Sequence, residues 1–204
     1  MVTRKTVTEL EELLSPDETL VDLTRDGCDA AFAALMTRYG DSVYSIVRNM
    51  CATESEADEL THQTFLSAYQ EIASLPADAT FSTWLFRTAV KTSLAERRRG
   101  RFMGAANEDR LPMALRQKWP DLTDPALEPG NFAVPLREAL ERMDDGVRAA
   151  FVLRDLAELP PRETAAILET SPREIGLRLH RARLMLISVI ATCVQDRKMN
   201  GLHR

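Results

Sequence analysis

Five prolines, Pro112, Pro120, Pro125, Pro129 and Pro135, fall within 24 residues, and no long helix or central strand runs through such a cluster. With Gly104, Asn107, Gly130 and Asn131 beside them, residues 102–135 read as a linker with at most short helical pieces. The chain must therefore fold as two modules, at about 27–100 and 136–195.

Both modules repeat apolar residues at helical spacing. Phe32, Leu35, Met36 and Tyr39 follow an i, i+3, i+4, i+7 pattern, and Val43, Ile46, Val47 and Met50 continue it. Thr53-Glu54-Ser55-Glu56 is a capping box, Thr at the N-cap and Glu three residues on. The helix it opens runs through about Ile72 with Ala57, Leu60, Thr64, Ala68 and Ile72 inward, and Leu75-Pro76-Ala77-Asp78 ends it. A third helix starts at Phe81-Ser82-Thr83-Trp84 and runs to an arginine cluster. No segment alternates with period two, so the expected fold is all-α: two small helical domains joined by a flexible linker.

In the second module a short helix with a proline-marked start spans Leu159–Leu168. A break at Glu169-Thr170-Ser171 leads into Ser171-Pro172-Arg173-Glu174, a second capping box with proline at the first helical position. The longer helix that follows, through about Ile190, has Ile175, Leu179, Ala182, Leu186 and Ile190 on one side. The opposite side presents Arg173, Leu177, His180 and Leu184, flanked by Gly176 and Arg181. Short helix, tight turn and longer basic helix form the helix-turn-helix arrangement, whose second helix enters the major groove. A plain helical hairpin has the same pattern of elements.

The cheap signatures of an enzyme are absent. Cys28, Cys51 and Cys193 never pair with His62, His180 or His203 at metal-ligand spacing, the eight glycines are scattered, and no serine sits in a glycine-flanked elbow. Neither a metal nor a cofactor is expected, and the protein is not read as an enzyme. Nothing approaches the roughly 20 apolar residues of a membrane helix, and Met1–Lys5 leads into no apolar signal core. No membrane insertion and a cytoplasmic location are expected.

The formal net charge of −5 argues against nucleic acid until it is resolved by segment. Residues 87–101 hold six basic residues against one acidic, and 146–204 ten against six. The acidic excess lies in 1–26, three against seven, in 27–86, two against eight, and in 102–145, five against nine. In the first basic block Arg87, Lys91 and Arg98 share a helix side, Arg97, Arg99 and Arg101 extend the charge, and Trp84 and Thr88 lie a turn away. Cations that track phosphates beside an aromatic that stacks on an unpaired base make a single-strand surface; the alternative is a core tryptophan and a solvated helix end. Glu54, Glu56, Asp58 and Glu59 open the second helix, where carboxylates suit the helix dipole. A partner surface or a carboxylate metal site are the other readings of that cluster.

Taken in order, these segments resemble bacterial RNA polymerase sigma factors. Asp58-Glu59-Leu60-Thr61-His62-Gln63-Thr64-Phe65-Leu66-Ser67-Ala68-Tyr69 is similar to the family's second conserved region, and Phe81-Ser82-Thr83-Trp84-Leu85-Phe86-Arg87 to the promoter-melting segment after it. Phe151–Leu156, Ala165–Leu168 and Arg178-Leu179-His180-Arg181-Ala182-Arg183 resemble the fourth region. Two modules and a short linker suit the extracytoplasmic-function (ECF) subgroup. The resemblance implies region 2 at 27–101, a linker at 102–135, region 4 at 136–195, and a tail at 196–204. It implies that Asp58, Glu59, Leu60 and Gln63 lie on the face that docks on a coiled coil of the largest subunit of core RNA polymerase, whose largest and second-largest subunits are both implied partners. Phe81, Trp84, Arg87, Thr88, Lys91, Arg97 and Arg98 would face the −10 element, where a base is flipped out at a cost of a few kcal/mol. Ser171, Arg173, Leu177, Arg178, His180 and Arg181 would face the −35 element, Arg173 at a base edge or phosphate and Arg178 and Arg181 on the backbone. Core polymerase, promoter DNA and an anti-sigma factor are the implied partners. A degenerate sigma-like protein or a free-standing regulator is the alternative.

Six positions, in four places, depart from the family's habits. His62-Gln63 stands where a Gln and then an acidic residue are usual, and Lys91 where Asn is usual. Glu169 occupies a turn position that commonly holds Gly. Gly176-Leu177 replaces a Lys-Ser type pair, which weakens the electrostatic grip and offers Leu177 to a thymine methyl. The acidic leader, residues 1–26, has no counterpart in this comparison. Its Leu10, Leu13 and Leu14 suggest a short amphipathic helix for docking on a basic surface.

Overall fold

The computed structural model describes residues 15–51, 53–99 and 130–201. The chain divides into two compact units, 1–102 and 103–204. Every element in the described residues is helical or a turn.

In the first unit, the first helix of the described residues is one that the charge pattern hides. Residues 17–25, grouped above with an acidic leader, form α1 (Asp17–Arg25), with Leu20, Val21 and Thr24 buried. Asp17 and Glu18 sit at its positive end. Gly27, at φ +90°, closes it: the Cys28 amide donates to the Leu23 carbonyl at 2.9 Å and the Gly27 amide to Thr24 at 3.0 Å. Leu10, Leu13 and Leu14 lie outside the described residues.

α2 (Asp29–Arg48) buries Phe32, Leu35, Val43, Ile46 and Val47 as the spacing requires, whereas Met36 stays 39% exposed. α3 (Glu54–Glu71) opens on the expected capping box. The Glu56 amide donates to Thr53 Oγ1 at 3.2 Å, and the Thr53 amide to Glu56 Oε2 at 3.0 Å. Its predicted inner side is buried, and Phe65 joins it. A short 3₁₀ turn, Ile72–Ser74, follows. α4 (Phe81–Arg98) starts at Thr80, whose hydroxyl accepts from the Thr83 amide at 3.3 Å.

Two clamps hold α1 on this bundle. At one end the Asp17 carboxylate accepts from Arg38 and from the Tyr39 hydroxyl. Burial and that carboxylate push the Tyr39 phenol well above its usual range. At the other end Arg25 donates to the carbonyls of Ile72, at 3.3 Å, and Leu75, at 3.0 Å. Tyr39 also meets Phe81 and Phe86, with ring centroids 5.6 and 6.0 Å apart, so α1 is linked through it to the first turns of α4.

The second unit contains α5 (Gly130–Arg142), α6 (Asp145–Phe151), a π-helical turn (Val152–Leu156), α7 (Pro161–Ile167) and α8 (Pro172–Gly201). Two bounds differ from the sequence reading. α5 begins within residues assigned to the linker and accommodates Pro135 in its second turn, where the ring removes one amide donor without ending the helix. α8 runs past Ile190 to Gly201, because no proline or glycine interrupts residues 177–200. Leu136, Leu140, Met143, Val147 and Phe151 pack on Ala182, Leu186 and Ile190, while Ala150 and Ala165 pack on Ile175 and Leu179. Each fully buried large side chain of this kind contributes roughly 1.5–3 kcal/mol.

The turn between α7 and α8 is closed by Glu169 at φ +50°. Its amide donates to Ala166 at 3.3 Å and the Thr170 amide to Ala165 at 2.9 Å, respectively the 5→2 and 6→1 bonds of a Schellman motif. A non-glycine residue does close this turn, at a cost of roughly 1–2 kcal/mol for the left-handed backbone. Glu158, at φ +60°, ends the π turn in the same conformation.

Candidate nucleic-acid and partner interfaces

On α8 the side chains divide cleanly. Ser171 caps the helix, accepting from the Glu174 amide at 3.2 Å, and the Glu174 carboxylate, instead of closing a full capping box, accepts from Arg178 at 3.0 Å. Arg173, His180 and Arg181 are exposed, and Leu177 is 50% exposed among them. These four form an outward row directly after the tight turn, a cationic row with one apolar side chain. Arg178, expected on the DNA backbone, does not join it. Its side chain is only 25% exposed, and its guanidinium lies against the start of α6 at Gly146. Leu184, 52% exposed, continues the row beyond the first three turns.

The candidate −10 residues on α4 also separate. Phe81 and Trp84 are buried, 3% and 8% exposed, with ring centroids 6.0 Å apart. The periodicity that placed Trp84 beside the basic stripe equally placed it toward the core, and the core takes it. Thr88 is half-buried and donates to the Trp84 carbonyl at 3.1 Å. Arg87 and Arg97 are half-buried, whereas Lys91 and Arg98 are exposed. Arg99 pairs with Glu96, a carboxylate buried near the end of the helix. The cationic side of α4 is therefore present, without an aromatic face open for stacking.

On α3, Asp58 and Glu59 are exposed and Gln63 donates to Glu59 at 2.7 Å. Leu60, expected with them, is fully buried and supports the helix from within. Sequence reasoning passed over Leu66, which is 54% exposed one turn past Gln63 and continues the face of Glu59 and Gln63. Tyr69, 40% exposed, follows it and donates to Asp29 at 2.6 Å. The signal was available: both residues lie in the quoted motif, at i+7 and i+10 from Glu59. Glu56 is committed to the cap, so the acidic start of α3 is largely accounted for by helix chemistry.

No helix among the described residues is long and apolar enough to cross a membrane. A helix-turn-helix unit with an outward basic row, together with a unit whose described residues form four helices, the last of them closing on arginines, defines a DNA-binding helical protein. Residues 35–102 match the family model for sigma-70 region 2, and residues 133–186 that for sigma-70 region 4. The ECF RNA polymerase sigma-E factor of Salmonella typhimurium is 28% identical over 177 residues, 82% of this chain and 90% of that protein. RNA polymerase sigma factor NccH of Alcaligenes xylosoxydans is 26% identical over 181 residues, 86% and 95% of the two chains. Among solved structures, CnrH in complex with the cytosolic domain of CnrY aligns with a TM-score of 0.63 at 22% identity, over 86% of this chain and 97% of that one. The sigma factor RpoE in complex with the anti-sigma factor NepR, from Bartonella quintana, aligns with a TM-score of 0.53 at 17% identity, over 78% and 96%. The chain belongs to the extracytoplasmic-function branch of the sigma-70 family. It is a transcription initiation factor, directing RNA polymerase to promoters.

Proposed function

We propose that three surfaces divide this activity. Asp58, Glu59 and Gln63, extended by Leu66, dock on core polymerase in the cytoplasm, with Leu60 holding the helix from behind. Lys91 and Arg98, backed by Arg87, Thr88 and Arg97, track the phosphates of the opened −10 region, and Phe81 and Trp84 form the floor that keeps α4 straight beneath them. Arg173, Leu177, His180 and Arg181, behind the Ser171 cap, read the −35 element. The observation that carries this reading is the outward row on α8, exposed along its length and set immediately after a Schellman turn. Leu177 in that row suits a thymine methyl, where a polar residue would take a hydrogen bond. An anti-sigma factor binds the protein, as NepR binds the related RpoE of Bartonella quintana.

Run-off transcription with purified core polymerase on the organism's own promoters tests the assignment. The wild-type protein initiates; Arg173→Ala lowers transcription most at promoters that share one −35 base. Equal loss at all promoters would remove Arg173 from base reading. Core binding without any initiation would favour a degenerate sigma-like protein.

A further inference from the structure

Two arginines of α8, Arg178 and Arg183, bond to carboxylates within the unit, Arg183 while its side chain stays 44% exposed, and their placement is complementary. Arg178 donates to Glu174 at 3.0 Å, and its guanidinium lies over Gly146: a Cβ added there would stand 3.0 Å from Nη1 and 3.3 Å from Cζ. Arg183 makes two charge-assisted bonds to Asp155, at 2.9 and 2.7 Å, and Asp155 is a 7% exposed carboxylate of the π-helical turn. At 3.6 residues per turn, Arg178 lies about 100° from Leu177 in one sense and Arg183 about 120° in the other. One arginine therefore braces each flank of the outward row. One brace reaches the start of α6 and the other the turn that follows α6.

We infer that Arg178 and Arg183 are positioning residues that fix the roll of α8 and so aim Arg173 and Leu177, rather than DNA-backbone anchors. The inference rests on the reading of α8 as the −35 helix. Roll matters because a rotation of about 10° sweeps a side-chain tip ~6 Å from the axis through about 1 Å, enough to spoil a bidentate base contact. A phosphate contact by a flexible arginine tolerates the same error, since it is a charge interaction with little directional demand. Gly146 belongs to the device: it is the position without a Cβ where the Arg178 guanidinium rests.

The test uses holoenzyme assembled from the full chain and core polymerase. The probe is a duplex enriched by that holoenzyme from a random-sequence pool, with a scrambled −35 version as comparison. Two quantities are read for each variant: the affinity ratio between the duplexes, and the slope of log affinity against log salt. Arg178→Met, Arg183→Met and Gly146→Val are expected to lower the ratio about ten-fold, the size of one lost base contact, with the slope unchanged. Arg181→Ala is the contrast, losing about 0.9 in slope, the loss of one phosphate contact. A slope change of that size in Arg178→Met, with the ratio intact, would make Arg178 an anchor and overturn the inference. So would a smaller active fraction with both quantities unchanged, which marks a role in folding alone. A wild-type holoenzyme that fails to separate the two duplexes would instead overturn the promoter reading itself.

Discussion

The Arg25 guanidinium reaches the carbonyl of Leu75 at 3.0 Å, joining the end of α1 to the connector that leads into α4. Its Nε also donates to Ile72 at 3.3 Å, so one side chain satisfies two carbonyls at the end of α3 and its 3₁₀ turn. The Ile72 carbonyl also accepts from the Leu75 amide, at 3.3 Å. α1 lies ahead of the residues matched to region 2, yet it orders the approach to the helix proposed to meet the −10 element.

Replacing Arg25 by Met keeps the aliphatic stem and removes both bonds. The bonds are partly exposed, so the expected cost is modest, about 1 kcal/mol. Amide hydrogen exchange around residues 72–80 should accelerate more than exchange in the middle of α2. Uniform acceleration across the unit would mean that Arg25 serves overall stability and not the connector.

Glu169 offers a stabilising change. Its backbone sits at φ +50°, where glycine has no steric penalty. Glu169→Gly should raise the stability of the second unit by about 1 kcal/mol, a Tm increase of roughly 4–8 °C for a unit of this size. Calorimetry of the full chain, following the transition that the substitution moves, is the measurement. An unchanged or lowered Tm would show that the Glu169 side chain contributes as much as its backbone costs.

Much of the architecture was legible because it rests on local chemistry. Thr53 and Glu56 form the capping box that their spacing specifies, and Glu169 turns left-handed where the turn demands it. What sequence could not assign was the direction of particular side chains. Leu60 and Trp84 lie inside, Leu66 outside, and Arg178 folds back on α6, because each depends on which neighbouring helix is packed where. Charge counting also concealed α1: its Asp17 and Arg25 are clamps to other elements, yet they enter a segment sum as part of an acidic leader.

Cys51 carries a pH dependence. Burial pushes its thiol up from an ordinary 9.0 to about 11, Arg48 opposing and Glu56 adding to the shift. The folded state then holds a proton that the unfolded chain releases, so stability falls as pH rises from about 9 to about 11 and is unaffected well below. Cys51→Ala should abolish that part of the decline, seen by comparing urea midpoints of the two proteins at pH 8 and pH 10.5. Parallel declines would exclude the thiol as the source. The same burial predicts slow alkylation of Cys51 at neutral pH until the protein is unfolded.

The face of α3 separates support from contact. Leu60 is fully buried, so Leu60→Ala should destabilise the first unit by roughly 2–5 kcal/mol through lost transfer energy and a residual cavity. Its effect on polymerase binding should disappear when affinity is corrected for the folded fraction. Leu66 is 54% exposed beside Gln63, and Leu66→Ala should leave the melting transition within about 0.5 kcal/mol of wild type. If Leu66 seats against polymerase, core affinity should fall several-fold, since an apolar side chain removed from water contributes up to about 1.5–3 kcal/mol. Titration of labelled protein with core polymerase, beside thermal melts of the same samples, measures both. Intact affinity in Leu66→Ala would confine the docking face to Asp58, Glu59 and Gln63.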